Sequence, residues 1–267
     1  MTPLISLLFH DVYARVPAES GFTGAIADRY KLSLADFRDA VSAIAARAPR
    51  VICVARASDL ALSNRAVAIT ADDGGASYAQ HIADALEARA WRGHCFMTTD
   101  MIGRPGFLAA ADLRDLDRRG HVIGSHSASH PTRFSTCSWD RALDEWRRSR
   151  AALEDLLGHD VRVASLPGGY LSRRAARAAA EAGIEVLFTS EPVTAPWRVD
   201  GCVLAGRFTV RQGQAPGDLA DIAAGARAPM ARQWLNWRAK KLLKPVMGPL
   251  YPRLGEWVAR RARQTEA

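Results

Sequence analysis

Residues 66–90, AVAITADDGGASYAQHIADALEARA, decide the fold class of this 267-residue chain. The stretch begins with an apolar run, residues 66–70, that is typical of a buried strand, and it ends with an amphipathic segment, residues 78–90, that predicts a helix. Two adjacent aspartates, Asp72 and Asp73, stand between the strand and the helix and are followed by two glycines. Neighbouring carboxylates repel each other, so their place at a strand end requires a chemical reason.

Short apolar runs and longer amphipathic stretches alternate in the same way along residues 4–191. Strands are predicted at 4–9, 50–55, 66–70, 93–99, 121–127, 162–169 and 185–191, and helices at 33–47, 78–90, 110–120, 138–158 and 172–183. This alternation is typical of buried parallel strands joined by helical crossovers. About seven such units, with no interior linker, favour a single α/β barrel domain over residues 1–227.

The formal net charge of +8 is concentrated near the C-terminus. Residues 228–267 contain nine Lys or Arg and two acidic residues, which leaves the first 227 residues with a net charge of only +1. Tryptophans interleave with the basic residues here, and prolines divide the segment into two amphipathic pieces. Tryptophans beside cations favour contact with an anionic membrane surface, and a helix packed on the domain with its basic face in water is the alternative. No recognition motif accompanies the charge, so we expect no nucleic-acid partner.

Cysteine usage and the N-terminus bear on the compartment. The four cysteines are widely separated and include no C-x-x-C pair, which favours free thiols over a disulfide framework or a zinc knuckle. The first apolar stretch has no basic residues before it and is too short for a signal peptide, and no stretch approaches the roughly 20 apolar residues of a membrane span. We therefore expect a cytoplasmic protein, peripheral on the inner face of the membrane if the tail binds lipid.

Three polar motifs follow predicted strands, where α/β folds place their functional sites. They are Asp72-Asp73-Gly74, the segment GSHSASHP (124–131) and the turn LPGGY (166–170). The second motif places His126 and His130 four residues apart, and two imidazoles with one carboxylate form a catalytic metal set that leaves positions open for water and substrate. The other aspartate can then take a proton from water that the metal acidifies. Either motif alone is a weak signal, but together they predict a metal site.

The order and spacing of these motifs resemble the polysaccharide deacetylase family, the NodB-homology metal-dependent carbohydrate esterases. The likeness covers roughly residues 4–211 and rests on LISLLFHDV (4–12), VAITADDG (67–74), GHVIGSHSASHP (120–131), LPGGY (166–170) and GIEVLFTSEP (183–192). It implies a distorted (β/α)7-type barrel, the NodB-homology deacetylase fold, followed by a basic amphipathic helical tail. It also implies hydrolysis of an N-acetyl group on an amino-sugar-containing glycan. The tail extends this expectation to a lipid-linked or nascent saccharide.

The resemblance assigns roles residue by residue. It implies Asp72 and Tyr170 as catalytic residues, Asp73, His126 and His130 as metal ligands, and Pro167, Gly168, Gly169, Arg207 and His10 as substrate-binding residues. Asp72 would be the general base, and the backbone N–H of Tyr170 would help to stabilise the oxyanion. The ion would be one divalent metal, with zinc favoured and cobalt or nickel as alternatives. For His10, a role in simply ending the first strand is equally open.

The chain departs from the family pattern around the base. Ala71 replaces the usual aromatic residue before the aspartates. The third-motif arginine, which braces the base in many members, has no match, because Ser165 stands near its place and Arg162 is only a possible substitute. LAGRFTV (204–210) resembles the Leu-Pro-Arg stretch of exopolysaccharide deacetylases, with Arg207 in the arginine's place.

Two later motifs of the family are also missing. The Asp-x-x-x-Trp motif is absent, and whether Trp197 stands in for its tryptophan is open. The late histidine that acts as general acid is absent too, since no histidine follows His159. A second function therefore stays open, namely a catalytically weak or inactive glycan-binding or assembly subunit that keeps the metal site.

Overall fold

The computed structural model describes residues 3–47, 49–61 and 64–247, without the side chains of 242–247. The strands in this described part are β1 (Leu4–Phe9), β2 (Val12–Tyr13), β3 (Leu32–Ser33), β4 (Ala66–Ala71), β5 (His94–Met97), β6 (Val122–Ser125), β7 (Val163–Ser165), β8 (Val186–Phe188), β9 (Trp197–Val199), β10 (Cys202–Ala205) and β11 (Phe208–Thr209). The helices are α1 (Leu34–Ala45), α2 (Ala83–Glu87), α3 (Ala110–Arg118), α4 (Trp139–Leu157), α5 (Arg173–Glu181), α6 (Pro216–Ala223) and α7 (Arg227–Met247). Each predicted helix, and each predicted strand except that at 50–55, has a counterpart among them. No helix of this part is long and apolar enough to cross a membrane.

Nine strands form one sheet in the order β11-β1-β4-β5-β6-β7-β8-β10-β9, and all neighbours are parallel except β9 and β10. β10 and β11 lie near opposite ends of this order, yet only Gly206 and Arg207 connect them. Because consecutive Cα atoms are about 3.8 Å apart, two residues cannot bridge an open sheet. The sheet therefore curls until its ends meet, and the predicted distorted barrel is confirmed.

Side chains of β4 alternate between the barrel interior and the outer helical layer. Ala66 and Ala68 belong to the interior cluster, whereas Val67 and Ile69 pack in the larger cluster between the sheet and the helices. By the same alternation Asp72, two residues beyond Thr70, points into the barrel. Phe96 of β5 and Phe188 of β8, which are completely buried, fill the interior of the barrel below Asp72.

The predicted strand at 50–55 is wrong. In this segment Val51 makes a single parallel bridge to Val67, and Val54 enters the interior cluster. The other members of that cluster include the first residues of several strands, so the segment closes the barrel at the end opposite Asp72. An apolar run of this length does not by itself distinguish a strand from such a plug.

Two helices also differ from expectation. The predicted helix at 78–90 begins with a π-helical turn, Tyr78–Ile82, and only its continuation α2 is α-helical. At the C-terminus, α7 runs through Pro245, where a break was predicted. The second amphipathic piece predicted for the tail, from residue 248 onward, lies outside the described residues.

His94 fastens the plug to the sheet. Its Nδ1 lies 3.0 Å from the carbonyl oxygen of Ile69, which can only accept, so Nδ1 carries the proton and Nε2 accepts the hydrogen bond from the N–H of Val54 at 2.8 Å. Burial lowers the pKa of His94 from its ordinary 6.5 to about 4.

We expect the His94 environment to make the fold acid-sensitive. The unfolded chain binds a proton at His94 with a pKa near 6.5 and the folded chain only near 4, so the free energy of unfolding falls by about 3 kcal/mol as the pH drops through this window. Urea unfolding at pH 7 and pH 4.5 should show a smaller loss for His94→Gln than for the unaltered chain. His81→Gln, at a half-buried helical position, is the control, and equal losses in all three proteins would contradict the assignment.

Candidate active site

The register of the parallel strands gathers the predicted site at their carboxyl ends. Phe9 of β1 pairs with Ala71 of β4, which places His10 beside Asp72. Ser125 of β6 pairs with Ala164 of β7, which places His126 beside Ser165. Residues that are far apart in the sequence therefore meet at one edge of the barrel.

Asp73, His126 and His130 form a group that fits a divalent metal ion. Oδ1 of Asp73 lies 3.4 Å from Nε2 of His126 and 3.6 Å from Nε2 of His130, and one ligand atom from each residue lies within 4.8 Å of the others. Nδ1 of His126 lies 2.9 Å from the carbonyl oxygen of Ser165, so it must donate, and the lone pair of Nε2 is left to face Asp73. Two imidazoles and one carboxylate match the donor set of catalytic zinc sites.

The backbone around the ligands is strained. Among the described residues, five that are not glycine have a positive φ, and three of them are Asp73 (74°), Ser127 (63°) and His130 (53°). Such conformations are costly for side-chain-bearing residues and concentrate at functional sites, where the surrounding structure maintains them. Here the hydroxyl of Ser127 accepts a hydrogen bond from the N–H of His130 at 3.1 Å, which braces the loop between the two histidines.

Glu145 of α4 anchors the same loop from the other side, and sequence reasoning missed it. Its carboxylate accepts hydrogen bonds from the N–H of Ser129 at 2.8 Å and from the Ser129 hydroxyl at 2.5 Å. Glu145 is only 3% exposed. The sequence does contain a signal for Glu145, because an acidic residue next to Trp146, on the apolar side of an amphipathic helix, is expected to be buried with a polar partner.

Arg207 holds Asp72 in the barrel interior. Nη1 and Nη2 donate to the two carboxylate oxygens of Asp72 at 2.6 and 2.8 Å. The remaining guanidinium donors reach the Thr189 carbonyl, the Thr70 hydroxyl and the Ser165 hydroxyl at 3.0, 3.2 and 2.7 Å, so all five N–H groups are used. Ser165 in turn donates to Oδ2 of Asp72 at 2.9 Å.

This arrangement corrects the expectation for Arg207. The side chain is 0% exposed, so it has no surface for the substrate contact that the family resemblance implied. It braces the carboxylate of Asp72 instead, from the connection between β10 and β11. Gly206 permits this path, because a Cβ there would lie 2.4 Å from the carbonyl oxygen of Glu191. Arg162, the other candidate for this bracing role, pairs with Asp160 and Glu185 at the surface.

Charges within the group set the protonation states. Burial alone would raise the pKa of Asp72, but the charges of Arg207 and His126 outweigh it and hold that pKa below its usual range. Burial is likewise outweighed at Asp73, whose pKa is lowered by its contact with His126 and by nearby histidine charges. The pKa of His126 is raised by the two aspartates against the effect of burial, while burial and the charge of His126 lower that of His130. Both carboxylates are therefore ionised at neutral pH.

The turn Pro167–Tyr170 lies beside this loop. Gly168 and Gly169 both have positive φ, and a Cβ on Gly169 would lie 2.1 Å from the Ser190 hydroxyl. A Cβ on Gly168 would lie 3.6 Å from the carbonyl oxygen of Thr132, which places the turn next to the His126–His130 loop. Tyr170 is half-buried. Trp197, by contrast, packs with α5 in a cluster on the outside of the sheet.

His10 lies at the rim of the same site. Its ring packs against Tyr30 at 5.0 Å, and its charge acts on both Asp72 and Asp73. Nδ1 of His10 is buried and has no hydrogen-bond partner among the described residues. A buried ring nitrogen without a partner next to two carboxylates is available for chemistry.

Asp11 was not predicted, although it links three segments next to the site. Its Oδ1 accepts hydrogen bonds from the hydroxyls of Ser20 and Ser77 at 2.6 and 2.8 Å, and the Ser20 hydroxyl also accepts from the N–H of Ser77 at 2.9 Å. Burial, aided by the charge of Asp73, raises the pKa of Asp11. The turn that follows Asp73 is thereby tied to β1 and to the loop before Phe22, whose ring packs on His130 at 5.1 Å.

Replacing Asp11 with alanine should lower the free energy of unfolding by about 3 kcal/mol, because two buried hydroxyls lose their acceptor. Asp11→Asn keeps an acceptor oxygen in the same place and should cost less than about half as much. Denaturant titration of both variants checks this expectation. Equal losses for the two would show that Oδ1 does not hold the hydroxyls together.

Comparison with known proteins agrees with this geometry. Residues 60–187, which include Asp72, Asp73, His126, His130 and the glycine turn, match the family model of polysaccharide deacetylases. No curated protein sequence matches the chain.

Similar solved structures share the fold at low sequence identity. The deacetylase PplD of Streptococcus pyogenes, in complex with acetate, is 15% identical with a TM-score of 0.67, over 83% of this chain and 99% of that one. A polysaccharide deacetylase of Bacillus cereus is 15% identical with a TM-score of 0.69, over 83% and 69%. IcaB of Ammonifex degensii is 20% identical with a TM-score of 0.65, over 85% and 98%. Residues 60–187 therefore correspond to a polysaccharide deacetylase domain, and the barrel that contains them has the fold of these solved structures.

Proposed function

We propose that this protein hydrolyses N-acetyl groups on an amino-sugar-containing glycan, in a metal-dependent reaction that releases acetate. The observation that carries the proposal is an ionised base, Asp72, held by Arg207 directly beside the Asp73–His126–His130 set. Oδ2 of Asp72 lies 3.9 Å from Nε2 of His126, so base and ligands share one site. The family match supplies the reaction class.

The chain's own residues divide the work. A divalent cation held by Asp73, His126 and His130 would polarise the acetyl carbonyl and acidify water, and zinc suits this donor set, with cobalt or nickel as alternatives. Asp72 accepts the proton of the attacking water, because Arg207 keeps its carboxylate ionised. The turn Pro167–Tyr170 provides a wall of the groove and, through the N–H of Tyr170, a donor for the oxyanion.

The leaving amine needs a proton, and His10 is the residue placed to deliver it. The late histidine of the family is absent, but His10 stands beside Asp72 at the end of β1. Its unpartnered Nδ1 leaves it able to exchange a proton in the site. This assignment favours an active enzyme over the alternative, a subunit that binds glycan without turnover.

Acetate release from chitooligosaccharides by purified protein, loaded in turn with zinc, cobalt and nickel, tests the proposal. We expect release that a chelator abolishes and metal restores. His10→Gln should lower kcat while leaving metal affinity unchanged, and His81→Gln should change neither. Tight metal binding without acetate release from a broad panel of N-acetylated glycans would support the binding subunit instead.

Contact of the tail with an anionic membrane is a separate proposal, supported by the tryptophans and basic residues of 228–267. It would give access to a lipid-linked substrate at the inner face of the membrane. Removing residues 248–267, which leaves α7 in place, should weaken sedimentation with vesicles that contain phosphatidylserine. Unchanged sedimentation would exclude membrane contact through residues 248–267.

A further inference from the structure

Three side chains in successive contact, those of His10, Tyr30 and Arg211, lead from the candidate active site to the rim of the barrel. His10 packs on Tyr30 at 5.0 Å, and the guanidinium of Arg211 lies over the other end of this contact, 5.7 Å from the centre of the Tyr30 ring. Arg211 follows β11, whose pairing with β1 places it at the same edge as His10. The guanidinium is thus two ring contacts away from His10, which stands beside Asp72.

Helix α7 brings a second cation to this rim. The side-chain amide of Gln233 pairs with the backbone N–H and carbonyl of Thr209 at 2.8 and 3.1 Å, which fixes α7 against the free edge of β11. Two turns further along, Nζ of Lys241 lies 3.5 Å from the carboxylate of Glu191. Glu191 follows Ser190, the residue that touches Gly169 in the glycine turn.

Both cations lie near Tyr170. Burial raises the pKa of its hydroxyl, and the charges of Arg211 and Lys241 offset part of that increase. Glu191 offsets the charge of Lys241. Arg211 therefore leaves a net positive charge beside the ring of Tyr30.

We propose that Arg211 and Lys241 form an anion subsite at the groove rim, which binds a carboxylate or phosphate group on the glycan close to the N-acetylated sugar. The inference rests on the proposed deacetylase function and narrows its substrate to an anionic glycan. An arginine over an aromatic ring keeps its planar donors pre-organised for bidentate contact with either anion. Lys241 adds a point charge, which its contacts with Glu191 and with the ring of Trp237 hold near the rim.

Binding to chelator-treated protein, in which no turnover occurs, tests the subsite by calorimetry. The carboxylate probe is a tetrasaccharide of alternating glucuronate and N-acetylglucosamine, and its neutral counterpart is chitotetraose. The phosphate probe is N-acetylglucosamine 1-phosphate, and its neutral counterpart is N-acetylglucosamine. We expect Arg211→Gln to weaken binding of an anionic probe about tenfold and of its neutral counterpart less than twofold. Arg232→Gln is the control, because Arg232 lies nine residues before Lys241 on α7 and pairs with Asp218.

The pattern of results separates the possibilities. A loss confined to the glucuronate probe or to the phosphate probe identifies which anion the subsite takes. Equal effects on anionic and neutral probes, or no effect of Arg211→Gln, would overturn the subsite. Acetate release from chitotetraose by the metal-loaded protein reports on the proposed function alone, so either proposal can fail without the other.

Discussion

Arg207→Met is expected to lower the free energy of unfolding by about 3–5 kcal/mol and to remove nearly all deacetylase activity. The substitution leaves the Asp72 carboxylate buried without its charged partner, and it also removes the donors that reach Ser165 and Thr70. The unpaired carboxylate then takes up a proton more readily, so its pKa rises and the base is lost at neutral pH. Denaturant unfolding and acetate release measure the two effects.

Two further variants separate stability from chemistry. Arg207→Met combined with Asp72→Asn removes both charges of this buried pair, so it should recover much of the stability and none of the activity. Arg207→Lys keeps a cation but not the two-pronged contact, so surviving activity should decline at a higher pH on the acid side than in the unaltered protein. Arg162→Gln is the matched control, since its partially exposed pairs are worth about 1 kcal/mol or less. A stability loss at Arg162 as large as that at Arg207 would contradict the assignment.

Arg207 also shows where sequence reasoning reached its limit. The order of the motifs identified Arg207 as a site residue. The direction of its side chain, however, depends on how the barrel closes at β11. This strand has only two residues, so it shows no periodic pattern in the sequence. The ends of the long buried strands were predictable, because continuous apolar runs such as β1 and β4 leave little choice of structure. The same runs placed Asp72, Asp73, His126 and His130 at one edge, and the register then brought them into contact.

Residues that support the site from a distance left weaker signals. Asp11 and Glu145 are acidic residues whose partners are serines in other segments, and nothing local marks an aspartate as a hydrogen-bond acceptor for a loop. The sequence of the plug at 50–55 resembles that of a strand, because its apolar residues are buried as those of a strand are. Burial alone requires apolar residues and does not show whether the backbone pairs with a neighbouring strand. Such positions are decided by tertiary contacts, which a pattern along one segment does not contain.

Alanine in place of His126 or His130 is expected to weaken metal binding by more than about 100-fold and to abolish acetate release. Each substitution removes one of three donors, and the two that remain cannot hold a divalent ion against water with comparable affinity. Glu145→Ala keeps all three donors but frees Ser129 in the ligand loop, so we expect an intermediate loss of about 10–100-fold. Competition with a chromogenic chelator, with cobalt as a visible probe, measures the series.

The order within this series distinguishes a metal site from a polar cluster that merely stabilises the fold. If Asp73, His126 and His130 only form a polar cluster that stabilises the fold, their replacement changes the unfolding of the metal-free protein. The metal affinity of the protein is then weak and does not change with the replacement. If they are ligands, metal raises the unfolding midpoint of the unaltered chain, since binding to the folded state alone stabilises it. That increase should shrink with Glu145→Ala, vanish with either histidine variant, and persist in full with His81→Ala. An increase that survives the loss of both histidines would place the metal elsewhere and remove the basis for the proposed reaction.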